Sequence, residues 1–320
     1  MENNNNVRNL KFRGQGSVLT GIFLVNLLLT VLTLGIYYAW AKVKTKKYIY
    51  SSTYLEESSF QYHATGKELF MGYLKVFVLV ILFYGSIFLI TWLFPQQIWI
   101  LSIVTVVFYL GILFLIPIAI HSSLKYETAK TSWRSIHWGY EGDLKVFMKD
   151  FYIGIFYTII SLGFYSLWLF INIRKYITSN VKFGNISFKY DGTAGAIFFI
   201  YLKGYFLSII TLGIYLPFLV LEVYNYHINN TYAIQDERIL KFKSNIKGWS
   251  FFFFELVNLL MIFFSLGIAI GWVVCRQLEY YTKNVDIVGD FRSEDLIQTQ
   301  SDFNNASGDA LMDGLDISLI

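Results

Sequence analysis

Six apolar stretches dominate this chain, and each is long enough to cross a membrane as a helix. A helix needs about 20 residues to cross the hydrocarbon core of a bilayer. The stretches cover residues 17–41, 69–94, 98–120, 151–173, 194–221 and 249–275. Hydrophobic residues make up 55% of the 320 residues and charged residues only 15%, whereas soluble domains are about 25% charged. The sequence therefore predicts a membrane protein.

The charges are unevenly distributed. Residues 293–320 contain six acidic residues and no basic one, so the remainder carries a net charge of +10 although the whole chain carries +4. Because so polar a tail cannot bury enough apolar surface to order itself, we predict that 293–320 is a disordered acidic tail and that truncation after Phe291 leaves folding intact. The basic remainder is typical of contact with anionic lipid headgroups. No separate basic stripe indicates a nucleic-acid partner.

An internal repeat organises the chain around four Leu-Gly pairs. The glycines are Gly35, Gly163, Gly213 and Gly267, and the same residue types recur at fixed distances after them. Aromatic residues stand five positions later in all four copies, and a tyrosine stands thirteen positions later. A fifth, longer copy is recognised by its ends, since Lys125-Tyr126 matches Lys47-Tyr48. Such a period indicates a repeated supersecondary unit.

Each unit predicts a helix, a break, a second helix and a β-rich segment. Glycine after leucine favours a left-handed helix end, and Pro217 suits the first turn of the helix that follows. Branched and aromatic residues around short polar turns predict β-hairpins, although these segments are also compatible with interfacial loops. We therefore predict an all-α membrane bundle with short β-hairpins at the unit junctions. It would form one domain over residues 1–292, with units near 11–59, 60–137, 138–187, 188–241 and 242–292.

Two sequence segments resemble those of a known family. They are the segment Thr33-Leu34-Gly35-Ile36-Tyr37-Tyr38-Ala39-Trp40-Ala41-Lys42-Val43-Lys44 and the segment Thr65-Gly66-Lys67-Glu68-Leu69-Phe70. They resemble the YjgN-like bacterial inner-membrane proteins over roughly residues 11–291. The family has no known activity, so the resemblance implies a multi-pass protein of the bacterial inner membrane and nothing catalytic. In this family a proline tends to precede the tryptophan of the first segment, whereas in this chain Ala39 precedes Trp40.

Two topologies remain open from the sequence. Six single crossings would place nearly equal numbers of Lys and Arg on the two sides, which gives almost no orientation signal. Hairpins that turn at each Leu-Gly pair, or at Pro95 in the long unit, would place every charged junction and both termini on the cytoplasmic side. They would also bring the β-segments together, where their edges can pair. Most apolar stretches are too short for two full crossings, so such hairpins would be tilted or re-entrant. We favour the hairpins.

Ionisable and amide side chains in or next to the apolar stretches are candidates for a polar path, because burying them in lipid is costly. They are Lys75, Lys203, Glu222, Glu255, Asn258 and Arg276. Lysine and arginine side chains at these positions are also compatible with snorkelling to the headgroups, and Asn258 with a hydrogen bond between helices.

No pattern in the sequence predicts catalysis, a cofactor or a metal site. The chain has a single cysteine, Cys275, and its four histidines lack the spacing of a metal-binding helix. Repeats with broken helices favour a transporter or channel as the first hypothesis. The alternative is a non-catalytic scaffold that docks lipids, a second copy or another membrane protein on its basic face.

Overall fold

The structure is a computed structural model and describes residues 7–94 and 98–299. Its helices are α1 (Gly16–Leu32), α2 (Tyr38–Ser52), α3 (Gly66–Leu93), α4 (Ile98–Ala129), α5 (Leu144–Ile160), α6 (Ser166–Asn180), α7 (Ala194–Ile210), α8 (Leu216–Asn229), α9 (Gly248–Phe264) and α10 (Ile270–Lys283). Its strands are β1 (Val7–Asn9), β2 (Lys11–Phe12), β3 (Thr53–Leu55), β4 (Ser58–Tyr62), β5 (Thr131–Trp133), β6 (Ile136–Tyr140), β7 (Val181–Phe183), β8 (Ile186–Tyr190), β9 (Thr231–Gln235), β10 (Arg238–Ser244) and β11 (Val285–Val288).

Four of the helix pairs turn at the Leu-Gly motifs. Gly35, Gly163, Gly213 and Gly267 have φ between +87° and +95°, and the leucine before each has φ between +50° and +52°. Glycine adopts this left-handed region freely, whereas leucine is strained there. After one of these turns, Pro217 is the second residue of α8, where its fixed φ suits a helix start.

The hydroxyl residue that precedes each Leu-Gly pair completes the turn. In the first copy the backbone N–H of Gly35 donates to the carbonyl of Thr30 at 2.7 Å, and that of Tyr37 donates to Oγ1 of Thr33 at 2.9 Å. With the other bonds of the turn, every N–H from Thr33 to Tyr38 has a partner. Ser161, Thr211 and Ser265 close the other three turns in the same way. These turns need no water to satisfy their donors.

The strands form one antiparallel sheet. Strands β3 to β11 are neighbours in chain order, β2 pairs with β3, and β1 pairs with β11. Only Leu10 separates β1 from β2, so the segment 7–12 joins the first hairpin to the last strand and nearly closes the sheet into a barrel. Closure leaves few unpaired strand edges, which would otherwise template aggregation.

The helices form a ring that follows the sheet. Each helix contacts the next one along the chain, and α1 contacts α10, so the ring of described helices is closed. The second helices of the pairs, such as α2 and α6, also pack on the strands. β1 is the strand that completes the hairpin begun by β11, and β2 continues from it to pair with β3. The described residues therefore form five helix pairs, each followed by a β-hairpin.

Two layers of side chains fill the interior of the barrel. Each hairpin contributes one residue to each layer, because alternate residues of a strand point to the same face. The layer nearer the helices, called the upper barrel layer, consists of Leu10, Phe60, Trp138, Phe188 and Phe242. The second layer consists of Leu55, Trp133, Phe183, Ala233 and Ile287. Trp138 stacks between Phe183 and Phe188, with centroid distances of 4.7 and 5.4 Å. The barrel is thus a packed core.

The predicted all-α bundle is therefore wrong. The β-hairpins are not separate additions to a helical bundle. Hairpins from different units pair with one another, and the described strands form a nearly closed barrel of eleven strands. Among the described helices, only α3 and α4 are long and apolar enough to cross a membrane. The helices of the other four pairs contain 14 to 17 residues. One continuous sheet is also incompatible with six alternating crossings, which would divide the strands between two sides.

The predicted boundary of the acidic tail also needs correction. Residues 293–299 are held against the barrel, since Asp295 pairs with Arg238 at 2.7 Å and the hydroxyl of Thr299 donates to the carbonyl of Gly184 at 2.6 Å. Phe291 is buried against the second layer, 6.4 Å from Trp133. Truncation after Phe291 would remove these polar contacts, so we no longer expect it to be neutral. The rest of the predicted tail, residues 300–320, lies outside the described residues.

The left-handed turns predict opposite effects for the same substitution at two glycines of the first helix pair. Alanine at Gly35 has room, since no atom lies within 4 Å of its Cβ, but it must adopt a φ of +93°. We expect Gly35→Ala to cost about 1–2 kcal/mol of unfolding free energy. Gly21, within α1, also has no atom within 4 Å, and Gly21→Ala should raise stability by up to about 1 kcal/mol through helix propensity. Thermal unfolding of both variants in detergent tests this, and shifts of the same sign would contradict it.

Candidate functional site at the centre of the helical ring

The second helix of each pair, which packs on the strands, is called an inner helix. A cavity of about 430 Å³ lies where three inner helices meet the barrel. Its walls come from the ends of α2, α4 and α6 and from the first residues of the strands that follow them. Leu10, Phe60, Trp138 and Phe188 of the upper barrel layer also line it. Its volume falls in the range of sites that hold small organic ligands, about 300–1,000 Å³.

The lining of the cavity is mainly apolar, even where threonines contribute to it. Thr53, Thr131 and Thr231 are the first residues of the strands that follow α2, α4 and α8. The hydroxyl of each donates to the carbonyl four residues earlier at 2.8–2.9 Å. Thr128, one turn earlier in α4, does the same at 2.8 Å. Since these donors bond within the chain, they are not available to a ligand.

Two charged residues line the cavity, and their surroundings differ. Glu127 of α4 forms an ion pair with Lys46 of α2, so its charge is compensated. Arg174 of α6 stands over the ring of Tyr190 at 5.3 Å. Among the described residues no carboxylate lies within 4 Å of Arg174, and its buried Nε has no hydrogen-bond partner. Burial lowers the pKa of this guanidinium from its ordinary value.

Behind Arg174, a buried histidine stays neutral at physiological pH. His227 lies at the sheet end of α8, and its Nδ1 shares a hydrogen bond of 2.7 Å with the hydroxyl of Tyr190. Burial, together with the nearby charge of Arg174, lowers the pKa of His227 to about 4. His227 therefore adds no charge to this side of the cavity. Within the described part of the chain, no cluster of His, Cys, Asp and Glu has the geometry of a metal site.

The residues predicted to line a polar path do not line this cavity. Lys203 and Glu222 do come together, in an ion pair of 2.7 Å between α7 and α8, and the hydroxyl of Tyr215 donates to Glu222 at 3.0 Å. This pair is partly exposed on the outside of the ring. The prediction selected ionisable and amide side chains in or next to the apolar stretches, but a place in an apolar stretch does not decide which side of a helix faces the centre.

The other predicted path residues are dispersed. Glu255 accepts hydrogen bonds from Gln277 at 3.1 and 3.2 Å between α9 and α10. Arg276 stands over the ring of Phe254 at 5.5 Å, and Lys75 is exposed on α3. Asn258 is 1% exposed, and neither atom of its amide has a partner among the described residues. These side chains do not form a continuous path.

Sequence reasoning missed Arg174 and Glu127, although the repeat contained a signal for one of them. Arg174 stands eleven residues after Gly163, and Lys46 stands eleven after Gly35. Two cations at one repeat position indicate a shared location at the ends of inner helices. Glu127 gives no such signal, because Ile49, Ile177, His227 and Tyr281 occupy its position in the other units.

The neutral state of His227 predicts how stability changes with pH. The unfolded chain binds a proton at its ordinary pKa of about 6.5, whereas the folded chain does so only near pH 4. Stability should be unaffected by this group above pH 6.5 and should fall between about pH 6.5 and pH 4, by up to roughly 3 kcal/mol. Unfolding of the wild type and of His227→Gln across this range measures the difference. Parallel curves would contradict the prediction.

A family and three relatives match this chain. The family described as a bacterial protein of unknown function, DUF898, matches residues 7–207 and 224–314. The inner membrane protein YjgN of Salmonella typhimurium strain LT2 is 36% identical over 142 residues, which is 44% of this chain and 33% of the relative. The protein of the same name from Escherichia coli O157:H7 is 28% identical over 149 residues, 46% of this chain and 35% of the relative.

A third protein of that name, from Escherichia coli strain K12, is 41% identical over 61 residues, 19% of this chain and 15% of the relative. The matches thus span about a third or less of the length of these relatives. No solved structure gives a significant match to this chain.

Proposed function

Because this chain belongs to the DUF898 family of bacterial proteins of unknown function, and because its relatives are named as inner membrane proteins, we propose that it is an inner-membrane scaffold. In this proposal α3 and α4 cross the bilayer. The other four helix pairs enter it from the side of the barrel without crossing, and the protein docks lipids or a protein partner and catalyses no reaction.

The observation that carries the proposal is the leucine at each hairpin tip. Leu34, Leu162, Leu212 and Leu266 are 90–94% exposed in the structure and have strained positive φ values. Glycine or asparagine would fit such a backbone at lower cost. An exposed apolar side chain kept in a strained conformation is favourable where hydrocarbon surrounds it. The leucines therefore support insertion of the four tips into lipid.

The backbone at these tips is also suited to hydrocarbon. An unsatisfied N–H in lipid costs several kcal/mol, and each N–H of these turns already has a partner within the chain. The five residues of each tip, such as 33–37 and 161–165, include no charged residue. A chain that reverses direction within a bilayer needs both properties.

Helix length favours partial insertion for these four pairs. Seventeen residues, the length of α1, α5, α7 and α9, extend about 26 Å. The hydrocarbon core is about 30 Å thick. In contrast, α3 and α4 have 28 and 32 residues and extend about 42 and 48 Å. Exposed apolar side chains, such as Leu82, Phe88 and Trp92, cover α3.

The same geometry favours a scaffold over a channel. The candidate polar residues lie outside the central cavity, and two layers of side chains fill the barrel. A transport route along the axis would require these aromatic layers to separate. The Lys and Arg residues of the junctions lie at the barrel end of the helices, which supports a cytoplasmic barrel under the positive-inside rule. A lipid surface or a partner would dock there.

Single cysteines test this topology. Each variant carries the Cys275→Ser substitution and one new cysteine, which replaces Ser58, Asn185, Leu34 or Gln96. An impermeant thiol reagent is added to intact cells that express each variant. We expect labelling at 96 alone, because 58 and 185 belong to the cytoplasmic barrel and 34 lies in hydrocarbon. After the membrane is breached, 58 and 185 should react, whereas 34 should react only in denaturant.

Three outcomes would overturn the proposal. Labelling of 58 or 185 in intact cells would place the barrel outside the cytoplasm. Labelling of 34 in intact cells would show that the tip reaches the far surface, so that the pair crosses the membrane. A reference cysteine at 96 that fails to react would mean that α3 and α4 do not cross.

A further inference from the structure

The central cavity contains one cation whose charge the protein does not compensate. Lys46 and Arg174 occupy the same repeat position, on α2 and α6. Lys46 forms an ion pair with Glu127, whereas no carboxylate among the described residues lies within 4 Å of Arg174. A partly buried cation without a counter-charge costs free energy. Its retention in an apolar cavity indicates an anion that the protein binds there.

The groups around Arg174 orient it without neutralising it. The ring of Tyr190 lies 5.3 Å from the guanidinium carbon, and the hydroxyl of that tyrosine is engaged by His227. An aromatic face attracts a cation but carries no net charge. Arg174 therefore retains one unit of positive charge beside the cavity, which matches a monoanionic group.

The remainder of the lining suits an aliphatic chain. Apolar surface comes from Ile49, Phe60, Phe170, Ile173, Ile177 and Phe188. Four of the lining threonines donate their hydroxyls to backbone carbonyls, namely Thr53, Thr128, Thr131 and Thr231. Besides Arg174, the indole N–H of Trp138 is an unpaired buried donor among the described lining residues, and one such donor is not enough to recognise a sugar, a base or a peptide. The cavity volume, about 430 Å³, exceeds what a small inorganic anion needs.

We propose that the central cavity binds a single-chain amphiphile with a monoanionic head, such as a fatty acid. Its carboxylate pairs with the guanidinium of Arg174 through two parallel N–H···O hydrogen bonds, as arginine commonly does with carboxylates. Its hydrocarbon chain lies over Phe60, Trp138 and Phe188 of the upper barrel layer. This binding site goes beyond the proposed scaffold role and does not depend on how the helix pairs insert.

The test uses the delipidated full-length protein in detergent, with oleate, methyl oleate and inorganic phosphate as separate probes. Native mass spectrometry gives the stoichiometry, and the rise in unfolding temperature on titration gives the affinity. We expect one oleate per chain, at least tenfold weaker binding of methyl oleate, and no stabilisation by phosphate. The neutral ester has the same chain, so it isolates the role of the charge.

Variants separate the charge from the chain site. Arg174→Gln should weaken oleate binding at least tenfold, yet leave the ligand-free protein as stable as the wild type or more stable, because it removes an uncompensated charge. A purely structural arginine would give the opposite effect on stability. Arg276→Gln is the matched control, since Arg276 also stands over an aromatic ring but does not line the cavity. Thr178→Phe, which fills the cavity, should abolish binding of both oleate and its ester.

Several results would overturn the proposal. They are unchanged oleate binding by Arg174→Gln, equal affinities for oleate and methyl oleate, and stabilisation by phosphate alone, which would indicate a small-anion site. Uptake of many oleates per chain that Thr178→Phe does not reduce would indicate partition into detergent. Because these measurements do not depend on membrane orientation, the amphiphile site and the scaffold topology can each fail without the other.

Discussion

The need to pair every strand edge determines the rest of this structure. A hairpin of three- and five-residue strands is not stable alone, and each hairpin presents two unpaired edges. Here each edge meets the next hairpin, and the segment 7–12 pairs with β3 on one side and β11 on the other. Since every hairpin is joined directly to a pair of helices, closing the sheet also arranges the helices in a ring. The central cavity is the space that this ring leaves above the filled barrel.

Backbone hydrogen bonding also determines the structure of the turns that join the two helices of a pair, at the end away from the barrel. A reversal of direction in or near lipid must satisfy its donors internally. The Thr/Ser-Leu-Gly sequence does so with three residues of different roles. Glycine adopts the left-handed conformation, the hydroxyl accepts an otherwise unpaired N–H, and leucine presents an apolar side chain. The strain at the leucine is the cost of placing a large apolar group at that point.

Much of the local structure could be predicted from the repeat. The glycine positions marked the helix breaks, and the polar turns marked the β-segments. The barrel could not be read in the same way, because pairing between hairpins joins residues far apart in sequence, such as Val7 and Val288. The tail boundary was misplaced for a related reason: Asp295 is stabilised by Arg238, a partner that local composition does not reveal.

The candidate site shows why repeated positions were a poor guide to function in this chain. Lys203 and Lys75 share a repeat position, but that position faces outward, where Lys203 pairs with Glu222. Function is better sought where inward positions differ between units. At the cavity the charged residues are one cation, Arg174, and one carboxylate, Glu127, which pairs with Lys46. Burial keeps His227, which occupies the repeat position of Glu127, neutral.

Arg174, Glu127 and Lys46 together leave one positive charge. A protein that needed this ring only for packing would reach a lower free energy with an aliphatic residue at position 174, as Leu124 and Leu278 occupy that position in two other units. The positive charge of Arg174 is therefore best explained by an anionic ligand that binds beside it. An apolar cavity next to a single cation matches a ligand that is anionic at one end and hydrocarbon along the rest.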